Sequence, residues 1–265
     1  MKHHSFDRDD SQQIGPRLLV YSCYFGFHEP FNPSATGSGI GYDRTVVTDH
    51  AALNLPGVTM LRPDAVMAGD PGRMSRLAKL CPHLFFGGYD WVIYIDNSAA
   101  LTAAPQAIVA EIERQHAGAA PAGRYLFTHE RRSCAYREAR LCMVKGKISR
   151  ADYRRQVRHY KAAGFPEDQG LFMNTLMIQK MGDPATDAFN EQWFDHFQSY
   201  SRRDQISLPF LLWERGYPAR VTPFSLSDIA RWPLFSRWKR DRFRKQVSRG
   251  KPMAAMFGGV PATGP

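Results

Sequence analysis

Residues 91–98 read WVIYIDNS. Five apolar or aromatic residues in succession, with no polar alternation, mark a strand covered on both faces, as in a parallel sheet packed between helices. Asp96 closes that strand, and Asn97 and Ser98 follow it. In open α/β sheets, ligands gather at the carboxyl ends of the strands. An acid placed there, followed by short polar side chains, can hold a divalent cation or a ribose hydroxyl. Asp and Asn also end strands simply because they favour turns.

Working outward, Arg17–Cys23 (RLLVYSC), Thr45–Thr48 and Arg124–Thr128 read as further strands. Asp70-Pro71 supplies an N-cap and a proline at the first helical position. The helix that follows puts Met74, Leu77, Cys81 and Leu84 on one face, with Arg76, Lys79 and His83 on the other. Ala104–His116 is a second helix. The alternation predicts an α/β domain on a mainly parallel sheet. Beyond it, Ser149–Ala163 and Ala185–Tyr200 read as helices, with Phe172–Gln179 and Ala219–Thr222 as strands. The expected organisation is a polar tail over 1–16, one domain over 17–224, a basic aromatic helical extension over 225–252 and a small-residue tail over 253–265.

The chain has 265 residues with 43% hydrophobic content and a formal charge of +10. That is enough apolar material for a core and too much for a disordered chain. No apolar run reaches the roughly 18–20 residues that span a bilayer. The N-terminus is polar and lacks an apolar signal core, which points to the cytoplasm. The four cysteines are scattered without a CxxC pair, against a disulfide framework or a four-cysteine zinc site. The charge is concentrated between Asp228 and Lys251, where nine basic residues stand against two acids, nine minus two being +7. Trp232, Phe235, Trp238 and Phe243 are interleaved with them, a composition suited to an anionic membrane surface or to a helix docked on the body. No helix-turn-helix, zinc-finger or ribonucleoprotein signature is present, so nucleic acid is not expected as a partner.

Other residues could carry chemistry. His129-Glu130-Arg131-Arg132 follows a strand, Asn174 interrupts an apolar segment, and Arg203-Asp204-Gln205 opens a helix. Each also has a plain reading, as a charged loop, a core hydrogen-bonding residue and a helix-dipole charge respectively.

Taken in order, the blocks VYSCYFG, VTD, RLAKLCPHLF, YDWVIYIDNSAAL, THERRSCAYREA, RRQVRHYKAAGFPEDQGLFMNTLMIQ, QWFDHF and RRDQISLPFLLW resemble a known family. It is the glycosyltransferase-like family of bacterial and plant proteins that includes the plant mucilage-related transferases. The resemblance runs from Leu18 to Trp213. It implies a GT-A-like, Rossmann-type fold that binds a nucleotide-sugar donor and transfers the sugar to a polysaccharide or lipid-linked glycan at the cytoplasmic membrane face. Asp96 matches the first acid of the Asp-X-Asp signature that holds Mn²⁺ or Mg²⁺ in such folds, but Ser98 stands where the second acid belongs. The resemblance also implies that Lys79 and Arg76 meet the donor diphosphate and that Tyr21 and Asp49 meet base and ribose. It places Asn97 and Ser98 beside the donor, and His129, Asn174, Arg203 and Gln205 around sugar and acceptor. Asp204 is the first candidate for a sugar-side carboxylate, with Glu130 and Glu138 behind it. A family member that binds nucleotide or glycan without turnover is the alternative, with a nucleic-acid-binding protein ranked behind it.

Overall fold

The computed structural model describes residues 15–63, 70–119 and 122–250. Most of the two tails expected at 1–16 and 253–265 lies outside those residues. A seven-stranded sheet runs in the order β3-β2-β1-β4-β7-β6-β8. Its strands are β1 (Leu18–Tyr24), β2 (Asp43–Thr48), β3 (Thr59–Leu61), β4 (Trp91–Ile95), β6 (Arg124–Leu126), β7 (Leu176–Lys180) and β8 (Arg220–Val221). Only β7 is antiparallel to its neighbours. This is the α/β arrangement on a mainly parallel sheet anticipated from the strand pattern.

The unbroken apolar run of β4 is explained by its two coverings. Val92 and Tyr94 enter one core with residues of α1 (Pro71–Leu80), α3 (Ala135–Val144), α5 (Pro184–Ser199) and α6 (Asp204–Arg215). Trp91, Ile93 and Ile95 enter a second core with Ile108, Val109 and Ile112 of α2 (Pro105–Gln115). Helix α4 (Arg150–Ala162) lends Tyr160 to the first core, where its ring stacks on Phe210 at 4.1 Å.

Several boundaries differ from the sequence expectation. The α1 helix stops at Leu80, where Pro82 begins a separate 3-10 turn, so Leu84 leaves the apolar stripe and is exposed. Strand β7 starts at Leu176 rather than Phe172. Asn174 and Thr175 form a turn before it, and the Thr175 carbonyl accepts from the Asp96 N–H at 2.8 Å.

The segment expected as an extension from residue 225 is built into the body at its start. After α7 (Leu226–Ile229), strand β9 (Ala230–Arg231) pairs with β5 (Ala100–Leu101), and the Leu234 N–H bonds the Ser98 carbonyl at 2.8 Å. Only α8 (Arg237–Ser248) stands out as the basic helix, and it is capped by Ser236. It returns to the body through Arg244, whose Nε donates to the His28 carbonyl at 2.8 Å.

Where β6 begins, Arg124 is 1% exposed and pairs with no carboxylate among the described residues. Its NH2 donates to the Leu80 carbonyl (3.3 Å), to Gln179 Oε1 (3.0 Å) and to Asn190 Oδ1. It thus ties the sheet to the last turn of α1 and to α5. Gly123, just before it, lies so close to α5 that an added Cβ would sit 2.8 Å from Thr186 Cβ. Gly123→Ala should therefore destabilise by about 1–3 kcal/mol, the usual cost of overpacking, read as a lower urea midpoint with an unchanged slope.

Candidate functional site

The carboxyl ends of β1, β2, β4 and β6 lie along one edge of the sheet, and the segment entering antiparallel β7 joins them there. The most strongly charged point of that edge is Lys79. Its side chain is 3% exposed, and its ammonium lies 3.2 Å from Asp96 Oδ1 and 3.1 Å from Asp204 Oδ2. Tyr94, two residues before Asp96 and on the other face from Ile95, donates its hydroxyl to Asp96 Oδ1 at 2.6 Å. The ammonium lies 4.8 Å from the centre of the same ring. Arg76 Nε sits 3.7 Å from Asp204 Oδ1 without a hydrogen-bond partner.

Asp204 sits in the first turn of α6, where an acid complements the helix dipole. Its carbonyl accepts from Trp193 Nε1 at 3.2 Å. Burial alone would raise its pKa; Lys79, Arg76 and Arg203 together outweigh burial and hold the carboxyl well below the usual range. Arg76 shifts the opposite way: burial disfavours its charge, yet Asp204 foremost, then Tyr94 and Asp96, keeps the guanidinium firmly protonated. Asp204 is therefore a fixed negative charge, unsuited to taking a proton near neutral pH. Asp96, by contrast, keeps 30% of its side chain exposed, and Arg76 keeps 26%. The pair opens to solvent in front of a sealed Lys79–Asp204 backing.

Asn174 joins this group: its Nδ2 lies 3.4 Å from Asp204 Oδ2. The residue is 6% exposed, and its Oδ1 has no hydrogen-bond partner among the described residues. A buried amide oxygen in that state is suited to a ligand hydroxyl. Arg203 lies alongside as the residue preceding α6, while Gln205 Nε2 is engaged with the Phe172 carbonyl at 2.8 Å.

Four of the expected site residues have partners within the fold. Lys79 does not lie on a solvated polar face, because Asp96 and Asp204 enclose it. Tyr21 is 1% exposed and donates to the Ala78 carbonyl at 3.1 Å, which docks α1 on the sheet. Asn97 is buried; it accepts from the Asn32 N–H at 2.8 Å and donates to Glu29 Oε1 and the Pro30 carbonyl, clamping the loop after β1. Gln205 is a positioning residue for the Phe172 backbone. Ser98 is partly exposed beside Asp96. Asp49 is half-exposed at the end of β2 and accepts from the Gly26 N–H at 3.1 Å, fixing a turn that Gly26 makes at φ +60°.

The loop after β6 is a separate concavity lined by residues 128–133 with Gly170 and Leu171. His129 Nε2 faces Arg132 NH2 at 2.8 Å, and Arg132 NH1 pairs with buried Glu138 at 2.7 Å. Burial and then Arg132 lower the His129 pKa. Glu130 is exposed at the rim, and Glu138 is held as a counter-ion. Sequence reading missed Tyr94 and Glu29. The first was signalled only by a hydroxyl inside an apolar run.

A family model described as TOD1/MUCI70, glycosyltransferase-like domain, matches residues 36–228, a span that holds Lys79, Asp96, Asn174 and Asp204. No curated protein matches the sequence. Among solved structures, the apo WbbM bifunctional glycosyltransferase is similar with 12% identity and a TM-score of 0.49, over 91% of this chain and 46% of that one. The chain thus spans less than half the length of that protein.

Asp204→Asn removes the charge that compensates Lys79 and Arg76, and should cost about 3–5 kcal/mol at neutral pH. The native pKa of Asp204 lies below its unfolded value of about 3.9, so its contribution is complete well above that pH and is lost as pH falls below it. Chemical unfolding between pH 3 and 7 should show a shallower acid limb in the variant than in the wild type.

Proposed function

The chain belongs to the TOD1/MUCI70 glycosyltransferase-like family, and we propose that it transfers a sugar from a nucleotide-sugar donor to a glycan or lipid-linked glycan acceptor. The observation that carries this reading is the half-open pair of Asp96 and Arg76 at the carboxyl end of β4, backed by the buried Lys79–Asp204 contact. Diphosphate departure builds negative charge on the leaving oxygens, and a pre-positioned guanidinium lowers the barrier to that departure. The anomeric carbon passes through an oxocarbenium-like state, as in glycoside hydrolysis. Asp204, ionised throughout, offsets that positive charge through space rather than by contact. Asn174 Oδ1 accepts from a sugar or acceptor hydroxyl. Asp49 and Ser98 border the donor, and His129, Glu130 and Arg203 lie on the acceptor side.

The α8 helix supports an anionic membrane surface as a second contact. Trp238 is 68% exposed and Trp232 47%, with Arg237, Lys239, Arg242 and Lys245 exposed around them. Each basic residue near such a surface adds about 1 kcal/mol, which would hold the enzyme at the inner leaflet beside a lipid-linked acceptor.

Thermal unfolding against a panel of UDP-, GDP- and other nucleotide-linked sugars tests the donor site. A donor at 100 times its dissociation constant should stabilise by about 2.7 kcal/mol, and the shift should vanish in Arg76→Gln. Failure of every donor to shift the transition would overturn the transferase reading. Turnover, followed as nucleotide release in the presence of acceptor glycans, should fall at least a hundredfold in Asp96→Ala; nucleotide binding with no turnover in the wild type would identify a binding protein instead. Cosedimentation with phosphatidylglycerol vesicles should be strong at low salt, weak at high salt, and absent with phosphatidylcholine.

A further inference from the structure

The Asp-X-Asp signature that the resemblance implies at this position would hold a divalent cation between two acids and the donor diphosphate. The residues present do not fit one. Ser98 replaces the second acid, and among the described residues no three His, Cys, Asp or Glu side chains converge as a metal shell. The acid that remains, Asp96, has its Oδ1 engaged twice, by Tyr94 at 2.6 Å and by Lys79 at 3.2 Å. The nearest other carboxylate, Asp204, already faces Lys79 at 3.1 Å and Arg76 at 3.7 Å. Two carboxylates therefore share two cations before any ligand arrives. A divalent ion on Asp96 would stand beside a buried ammonium that cannot turn away, because its stem is enclosed.

We propose that glycosyl transfer in this chain needs no divalent cation, the Lys79 ammonium holding the place between Asp96 and Asp204 that a metal would otherwise fill. This rests on the transferase reading above and adds how the donor charge is met. With Lys79 fixing both carboxylates, Arg76 is left to approach the diphosphate. The bond between the anomeric carbon and the diphosphate oxygen breaks with its electron pair retained by the diphosphate. The acceptor oxygen forms the new bond to that carbon, and its proton passes to solvent. No redox partner enters the balance.

Two measurements on the full chain after EDTA treatment test this. In the first, Mn²⁺ is titrated into the protein alone and followed by its free-ion spin-resonance signal. The wild type should leave that signal unchanged, whereas Lys79→Met, which removes the ammonium from between the two carboxylates, should bind Mn²⁺ at least tenfold more tightly. Saturable one-to-one Mn²⁺ binding by the wild type, abolished in Asp96→Asn, would overturn the proposal. In the second, UDP and GDP are titrated calorimetrically with EDTA or with Mn²⁺ present. Dissociation constants should agree within twofold, and a tenfold or greater tightening by Mn²⁺ would also overturn it. Should neither nucleotide bind in either condition, the donor panel decides the transferase reading, and the manganese titration still decides the cation question. If Lys79→Met does not fold, the wild-type titration with its Asp96→Asn control decides alone.

Discussion

A lysine ammonium enclosed between two carboxylates constrains everything around it. Charges taken out of water are tolerated only when paired and hydrogen-bonded, so Lys79 fixes the last turn of α1, the end of β4 and the first turn of α6 relative to one another. Tyr94 and Trp193 then lock the two acids from behind, one by its hydroxyl on the Asp96 carboxylate and the other by its indole N–H on the Asp204 backbone. What stays accessible, part of Asp96 and part of Arg76, is what these three elements leave uncovered where they meet.

A second buried cation is handled differently. Arg124 is surrounded by amide and carbonyl oxygens rather than a carboxylate, and burial lowers its pKa despite the partial charges of Tyr217 and Tyr21. Its acceptor from α1 is the Leu80 carbonyl, at the negative end of that helix. Helix α1 is therefore held at successive residues by opposite means. Lys79 reaches upward to acids at the sheet's edge, and the carbonyl of Leu80 receives a guanidinium from beneath.

Much of the fold was readable because β4 is covered on both faces, and a run such as WVIYI has few other solutions. Asp96 followed from that strand by position alone. Lys79 did not, for a physical reason: helical periodicity sorts side chains into faces but does not say which face meets the body. The face bearing Arg76 and Lys79 turns inward because Asp204, far along the chain, supplies the compensating charge. Tyr21 and Asn97 show the opposite: both are buried and bonded within the fold. A hydroxyl or amide at a strand end suits a ligand and a neighbouring backbone equally, and only the loop of Glu29 to Asn32 and the end of α1 reveal which partner each one took. The helix at Ala135 carries no side-chain cap bond and follows a charged loop, so it announced itself least.

The pairing of β5 with β9, and of Ser98 with Leu234, has a consequence for how the molecule comes into being. A chain emerging from the ribosome presents β1 to β4 and Asp96 early, at roughly 5–20 residues per second. Lys79 and Asp96 balance each other at once, but Arg76 must wait for Asp204 as its counter-charge, and the backbone beside Asp96 waits longer still for Leu234. During that interval the nascent protein holds an unfinished polar cleft. The cleft at Asp96 is begun by the strands up to β4 and closed by the segment from Ala230 to Leu234.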